Sequence, residues 1–292
     1  MLNPGLAFIL LLLLSGLASC SGEKRSDAWQ IVSEERWFDN SGLLNVESIL
    51  YDSASKTYYA SNGVNYRPGS DGFLSKFSFD KDQFELKWVE GLSRPTGMAL
   101  IDSFLYVADV NVLVVINAFT GEIISRHPEP ILNSGLNDVA INQEGQVFVT
   151  ASFIHAVLRL EEGGLVVWRQ DTTKLQWANG ILAETDRVIV GGQYLSHIDL
   201  ASREINIVEL SSPVRDFDGL TSDGRRGYFL STVENRGLYY WDGNQTIRSL
   251  SLSGGYYGDF AFDVANKKLL IPRGTHQPQE YYISEFSLGD GQ

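Results

Sequence analysis

The sequence predicts an all-β fold, a six-bladed β-propeller with four-stranded blades. Three observations predict it. A phrase made of a polar residue, a small residue, an apolar alternation, a tight turn and a second β-type run recurs six times along the 292 residues. The leading polar residues stand 49, 41, 42, 39 and 41 residues apart, and a period near 40 with four strands per repeat is that of a propeller blade. The chain is also 12% aromatic with 28 glycines, its Val, Ile, Tyr and Phe runs are short and broken by Gly, Asp and Asn, and no stretch holds a helical period.

From the N-terminus, "MLNPGLAFILLLLLSGLAS" carries no charged side chain, and its apolar run from Leu6 to Leu14 is shorter than the roughly 20 residues that span a bilayer. It reads as a secretion leader, residues 1–19. "LASC" follows the pattern of small residues before Cys20, the single cysteine of the chain. A lone thiol in an oxidising compartment has no disulfide partner. The stretch resembles a bacterial lipobox, which implies acylation of Cys20 and a lipid anchor. Ser21 after it implies sorting to the outer membrane, on the periplasmic side of the cell envelope. Residues 20–27, "CSGEKRSD", form a solvated tether, and residues 28–292 form the propeller.

The six copies begin at Glu47, Thr96, Asn137, Asn179, Asp218 and Asp259. In the third, "NDVAINQEGQVFVTAS", a turn at Gln143–Gly145 separates two strands, and the other copies repeat this plan. Two more β-type segments follow each hairpin, as in "GFLSKFSF" and "FELKWVEG" after the first. The sixth repeat ends at "YYISEFSL", one strand short, while "WQIVSEERWFD" precedes the first repeat without a blade of its own. Residues 29–38 are therefore expected to complete the last blade and close the ring, leaving no open sheet edges. The longer first spacing comes from "NGVNYRPGSDG", residues 62–72, either a solvated loop or a flap over one channel mouth.

Composition excludes some functions. The chain is 43% apolar and 20% charged, with a net charge of −13 spread along its length, a field that repels nucleic acid. The four histidines show no metal-ligand spacing, His155 and His276 fall near a channel mouth, and no nucleophile elbow or P-loop occurs.

In a propeller the first strand of each blade lines the axis, so the six leading residues face one another. Three carboxylates, two amides and a hydroxyl in one small volume are costly to desolvate without positive charge. No Lys or Arg shares their phase, and a hard divalent cation with oxygen ligands is the simplest resolution. The competing reading is turn chemistry, since Asn and Asp often precede strands to satisfy local backbone groups.

"VESILYD", "LNDVAI", "ANGILA" and "FDGLTSDG" resemble, in order and spacing, the Glu, Asn-Asp, Asn-Gly and Asp-Gly blocks of the gluconolactonase and regucalcin-like propellers, grouped with luciferin-regenerating enzyme. The resemblance implies Glu47, Asn179 and Asp218 as protein ligands of a divalent cation, Ca²⁺ first, with Zn²⁺, Mn²⁺ or Mg²⁺ as alternatives. It also implies Asp218 as general base and Asn137 as a water-mediated ligand or substrate contact, with Asp138, Thr96 and Asp259 beside them. The implied reaction is hydrolysis of a lactone, a small-molecule substrate, by an assumed monomer. Where the sugar lactonases carry a substrate-holding arginine two residues before the Asn-Asp pair, this chain has Gly135, so their sugar specificity does not carry over. A non-catalytic propeller that binds a ligand or protein partner around a structural cation is the alternative.

Overall fold

The computed structural model describes residues 29–39, 41–79, 83–250, 258–276 and 279–290. The leader, the tether and Cys20 lie outside the described residues.

Six four-stranded antiparallel sheets are present among the described residues. Blade one holds β2 (Ile49–Asp52), β3 (Thr57–Asn62), β4 (Gly72–Ser78) and β5 (Gln83–Leu92). Blade two follows with β6 (Pro95–Ile101), β7 (Phe104–Asp109), β8 (Val112–Asn117) and β9 (Ile123–Pro128). Blade three is β10 (Leu136–Ile141), β11 (Val147–Ala151), β12 (Ala156–Glu161) and β13 (Gly164–Gln170). Blade four is β14 (Ile181–Ala183), β15 (Arg187–Val190), β16 (Ser196–Asp199) and β17 (Ile205–Ile207). Blade five is β18 (Phe217–Ser222), β19 (Tyr228–Thr232), β20 (Leu238–Trp241) and β21 (Ile247–Leu250). Blade six takes β22 (Ala261–Asp263), β23 (Lys268–His276) and β24 (Gln279–Asp290), and its outer strand is β1 (Trp29–Trp37), paired antiparallel with β24 from Trp29 opposite Asp290 to Trp37 opposite Ile283. The expected ring closure is what the structure contains.

Each sheet is apolar on both faces because it packs between two others, which explains why β3, β7, β11, β15 and β19 are almost wholly buried. Leu113, Val149 and Leu158 fill the space between blades two and three, and Phe229, Tyr240, Phe262 and Phe286 that between blades five and six. Trp29 from the closing strand enters this last layer. Its ring meets Phe229 at 6.0 Å and Phe262 at 5.5 Å, and its indole N–H donates to the buried Asp223 carboxylate at 3.2 Å. The closing strand is therefore anchored by a core side chain as well as by its ladder.

The innermost strands depart from regular pairing at one repeated place. Register shifts fall between Pro95 and Met98, Leu136 and Val139, and Phe217 and Leu220. A bulge leaves a backbone N–H without its ladder partner and re-aims a side chain. A hydroxyl on the second strand takes that N–H in blades three and five, Thr150 from Asp138 (2.8 Å) and Ser231 from Gly219 (2.7 Å), and in blade one, whose inner pair is regular, Ser61 likewise accepts the Ser48 N–H (3.0 Å).

Replacing Trp29 by alanine leaves a cavity in the closing layer and takes one of the hydrogen bonds of the buried Asp223 carboxylate, whose Oδ2 keeps the Tyr240 hydroxyl at 2.9 Å, and is expected to lower stability by roughly 3–5 kcal/mol. Denaturant unfolding of the variant checks this. An unchanged midpoint would show that β1 closes the ring by its ladder alone.

Candidate functional site

The leading residues sit where inner strands approach too closely for a side chain. A Cβ on Gly180 would lie 1.9 Å from the Asp218 carbonyl oxygen, and one on Gly219 would lie 2.7 Å from the Asp259 Cα. Between blades six and one, Asp259 N–H donates to the Glu47 carbonyl at 2.8 Å and Ile49 N–H to the Asp259 carbonyl at 3.3 Å. Asn179, Asp218, Asp259 and Glu47 thus occupy four successive inner strands drawn together at one level of the axis. The glycines after Thr96, Asn179 and Asp218 are a steric requirement of this approach.

Within the layer the acids divide by what they bind. Asp138 is tied to backbone: its carboxylate accepts from Val139 N–H at 2.7 Å and, across the blade boundary, from Ile181 N–H at 2.9 Å. Asp259 accepts from the Ser48 hydroxyl at 2.9 Å and from the backbone N–H groups of Phe260 and Leu220. The Thr96 hydroxyl serves the carbonyls of Ala108 (3.2 Å) and Asn137 (2.5 Å), bracing β10. Asn137 is half-buried and its amide donates to Ser152 at 3.2 Å. Glu47 and Asp218 are different. Glu47 is 8% exposed and its Oε2 is buried without a hydrogen-bond partner, while Asp218, 6% exposed, receives the Asn179 amide.

The titration of these groups follows from their crowding. Burial, then the charge of Asp218, pushes Glu47 up to about 8, with Arg94 pulling against it. Burial, then Asp259, raises Asp218 to about 7, opposed by the Asn179 hydrogen bond and by Arg94. Burial raises Asp259 to about 6, and burial with the charge of Asp259 holds Asp138 well above the usual carboxylate range. Near neutral pH the layer holds both ionised and protonated carboxyl groups.

Arg94 is the residue that the sequence phase does not reveal. It stands two positions before Thr96, is 5% exposed, and is set by Asp109, whose buried carboxylate accepts the backbone N–H groups of Ser93 and Arg94 at 2.7–2.9 Å. Its guanidinium donates to the Pro95 carbonyl at 3.0 Å, and its charge reaches Glu47, Asp218 and Tyr66. No Lys or Arg shares the phase of the leading residues, yet Arg94 brings a protein cation to Glu47 and Asp218 from two positions upstream. The available signal was positional: Arg94 precedes its leading residue by two, as Gly135 precedes Asn137.

The residues fit an oxygen-ligated cation in part. An orphaned carboxylate oxygen, a second carboxylate and an amide converge, and their raised affinities for protons show that positive charge is wanted there. Among the described residues no group of three or more His, Cys, Asp or Glu side chains is arranged to hold a metal ion. A cation would accordingly rest on Glu47, Asp218 and the Asn179 carbonyl oxygen, in a layer that Arg94 already partly neutralises.

Two spaces flank the layer. Below it, a cavity of about 250 Å³ follows the axis between the inner strands, with Asp138 and Asp259 among its lining and apolar side chains such as Leu50, Leu100, Ile141 and Leu182 along the same strands. Above it lies the mouth formed by the loops that precede the inner strands. The 62–72 segment reaches blade three there, since the Tyr66 hydroxyl donates to the Leu136 carbonyl. His155 also stands at this mouth, its Nδ1 accepting the Trp177 N–H at 3.1 Å. The side chain of His276 is outside the described residues.

No protein-family model and no curated protein sequence matches the chain. Solved structures do. Regucalcin from Agrobacterium tumefaciens, a calcium-binding protein, superposes with a TM-score of 0.64 at 15% identity over 88% of this chain and 95% of that one. Virginiamycin B lyase from Staphylococcus aureus, in a catalytically inactive form with quinupristin, gives 0.62 at 11% over 90% and 100%. Luciferin-regenerating enzyme gives 0.62 at 10% over 89% and 95%. At these identities the likeness is one of fold, shared with the group that the sequence blocks resemble.

The electrostatics predict a stability profile. An acid whose folded pKa lies above its unfolded value stabilises the fold at low pH, and that contribution is lost as pH rises through the folded pKa. For Asp259, Asp218 and Glu47 the loss spans about pH 4 to 8, from their ordinary values of 3.8–4.5 to about 6, 7 and 8. The melting temperature of cation-free protein is expected to fall across that window, with Asp218→Asn raising it at pH 8. Thermal scans at pH 5 and pH 8 check this; a flat profile in both proteins would show that the layer is already neutralised.

Proposed function

We propose that this chain hydrolyses a lactone or closely related ester at the Glu47–Asn179–Asp218 face of the axial layer. The single observation that carries the reading is the pairing of an unpartnered buried Glu47 oxygen with an Asp218 whose pKa is lifted to about 7. A base that titrates near neutrality is matched to proton transfer at that pH.

The reaction is written with this chain's groups. Ionised Asp218 takes a proton from a water as its oxygen attacks the ester carbonyl carbon. Asn179, hydrogen-bonded to Asp218, fixes the carboxylate's orientation. The guanidinium of Arg94 offers positive charge within reach of the layer where the carbonyl oxygen becomes negative. When the tetrahedral intermediate collapses, the ring C–O bond breaks and the departing alkoxide takes back one proton, from the carboxylic acid now on Asp218 or from Glu47, protonated below about pH 8. The net change adds one water and yields a hydroxy acid. A divalent cation bound by Glu47, Asp218 and Asn179 would polarise the ester carbonyl and bring the pKa values of its ligands down. Ca²⁺ suits an all-oxygen set, and the regucalcin neighbour's description as calcium-binding supports the choice.

The cell-envelope location and the Cys20 lipid anchor belong to the same proposal and rest on the leader sequence. The reading of a non-catalytic binding propeller is favoured by Arg94, because a built-in cation lets the layer persist without chemistry.

A panel of γ- and δ-lactones with and without Ca²⁺, Mn²⁺ or Zn²⁺ separates the two. Turnover is expected with kcat/KM rising through a limb near pH 7, moved down by cation, and Asp218→Asn should lose at least about 10²-fold. Background hydrolysis that is the same in both proteins would leave only the binding reading.

A further inference from the structure

The mouth above the acid layer is walled by aromatic rings that the hydrolytic groups do not require. Tyr66, Phe153 and Trp177 come from three separate segments and meet edge to face. Tyr66 and Phe153 have centroids 5.7 Å apart at 72°, and Phe153 and Trp177 6.5 Å apart at 82°. Phe153 is 51% and Trp177 50% exposed, so half of each ring faces open space.

These rings are held in place. Tyr66 is pinned by its hydroxyl to Leu136, the residue before Asn137. Ser152 accepts from the Asn137 amide at 3.2 Å and donates to the Ala178 carbonyl at 2.6 Å, which places Phe153 and Trp177 each one residue from a knot that includes a leading polar position. Trp177 has φ of +54°, an uncommon conformation for a bulky residue, secured by its N–H bond to His155, whose ring stands perpendicular to the indole at 5.2 Å. Phe153 lies over Gly135: a Cβ there would come within 2.7 Å of its ring. The position that resembled the sugar lactonases' substrate-holding arginine is therefore where this chain seats a phenyl ring.

We propose that Tyr66, Phe153 and Trp177 form a binding wall for an apolar alkyl or ring substituent on the substrate, whose ester end reaches the acid layer. The assignment of the reacting end rests on the hydrolase reading; the wall itself does not. The wall adjoins the layer, because the Tyr66 phenol is near enough to Glu47 and Arg94 for their charges to shift its titration. A polyhydroxylated sugar lactone would set its hydroxyls against ring faces that offer no hydrogen bonds, whereas an alkyl chain would bury them and itself at about fourfold in affinity per methylene enclosed.

The test measures binding first. γ-Butyrolactone, γ-nonalactone and glucono-δ-lactone are titrated by calorimetry and by tryptophan fluorescence into Asp218→Asn protein, which separates binding from turnover. γ-Nonalactone is expected to bind at least about tenfold tighter than the other two. Trp177→Ala and, separately, Phe153→Ala should remove about tenfold of that advantage and leave γ-butyrolactone unchanged, with Trp177→Phe restoring most of it. Equal affinity for all three lactones, or a chain-length preference untouched by both alanine variants, overturns the wall. Chain-length-dependent binding accompanied by no hydrolysis in the wild-type protein upholds the wall and overturns the hydrolase reading instead.

Discussion

The constraint on which the rest of this structure depends is the crowding of buried carboxyl groups at one level of the axis. Six inner strands must converge for the blades to pack, and convergence at this level buries Glu47, Asp218 and Asp259 and brings Asp259 close enough to raise the proton affinity of Asp218, and both close enough to raise that of Glu47. Removing a charge from water costs several kcal/mol unless a partner compensates. The fold answers in three ways: backbone N–H groups for Asp138 and Asp259, an amide for Asp218, and the field of Arg94 for Glu47 and Asp218. Among the described acids of this layer, Glu47 Oε2 is a buried oxygen without a hydrogen bond. An unsatisfied oxygen at the centre of an otherwise satisfied network is the kind of local inconsistency that marks a functional position.

The same level of the ring shows how backbone geometry serves chemistry. A plain ladder would alternate side chains between the two blade faces and give the axis little but backbone. The shifts after Pro95, Leu136 and Phe217 break the alternation where a polar residue is wanted, and the hydroxyls of Thr150 and Ser231 repair the two N–H groups released at Asp138 and Gly219. Gly180 and Gly219 then allow the next strand to close in. Bulge, hydroxyl and glycine form one device, repeated with variations, and its variations differentiate the blades. Blade two uses Thr96 to brace a neighbour, whereas blade five presents Asp218.

Much of this was legible in the sequence because repetition carries phase. The period gave six blades, the missing strand at the end of the sixth repeat and the spare one at residues 29–38 gave the closure, and equal phase gave the leading residues. What phase could not give was direction of use. Asp259 and Asp218 share one phase in the sequence, yet Asp259 is held by the Ser48 hydroxyl and the Phe260 and Leu220 N–H groups, whereas Asp218 receives the Asn179 amide. That difference depends on contacts across a blade boundary. Arg94 was missed for a related reason, since it enters from two residues upstream, steered by Asp109 on the second strand of its own blade. Phe153 belongs to a short turn after β11 with no repeat equivalent, so its seat on Gly135 had no signature apart from the glycine itself.

The aromatic mouth and the acid layer are physically linked beyond their adjacency. Electrostatic interactions strengthen as water is excluded, so a mouth lined by Tyr66, Phe153 and Trp177 would deepen the effect of Arg94 and of Asp218 once an apolar substituent covers it. Desolvation also raises the proton affinity of the carboxylates further, which works against Asp218 as a base. Positive charge offsets that rise, because it stabilises the ionised carboxylate. Arg94 supplies such charge permanently, and a bound cation would supply more. An apolar mouth and a cationic floor are thus complementary demands: each limits what the other would cost alone. On the proposed reading, a site of this design would favour a ligand with one polar, reactive end and one apolar end over a ligand that is polar throughout.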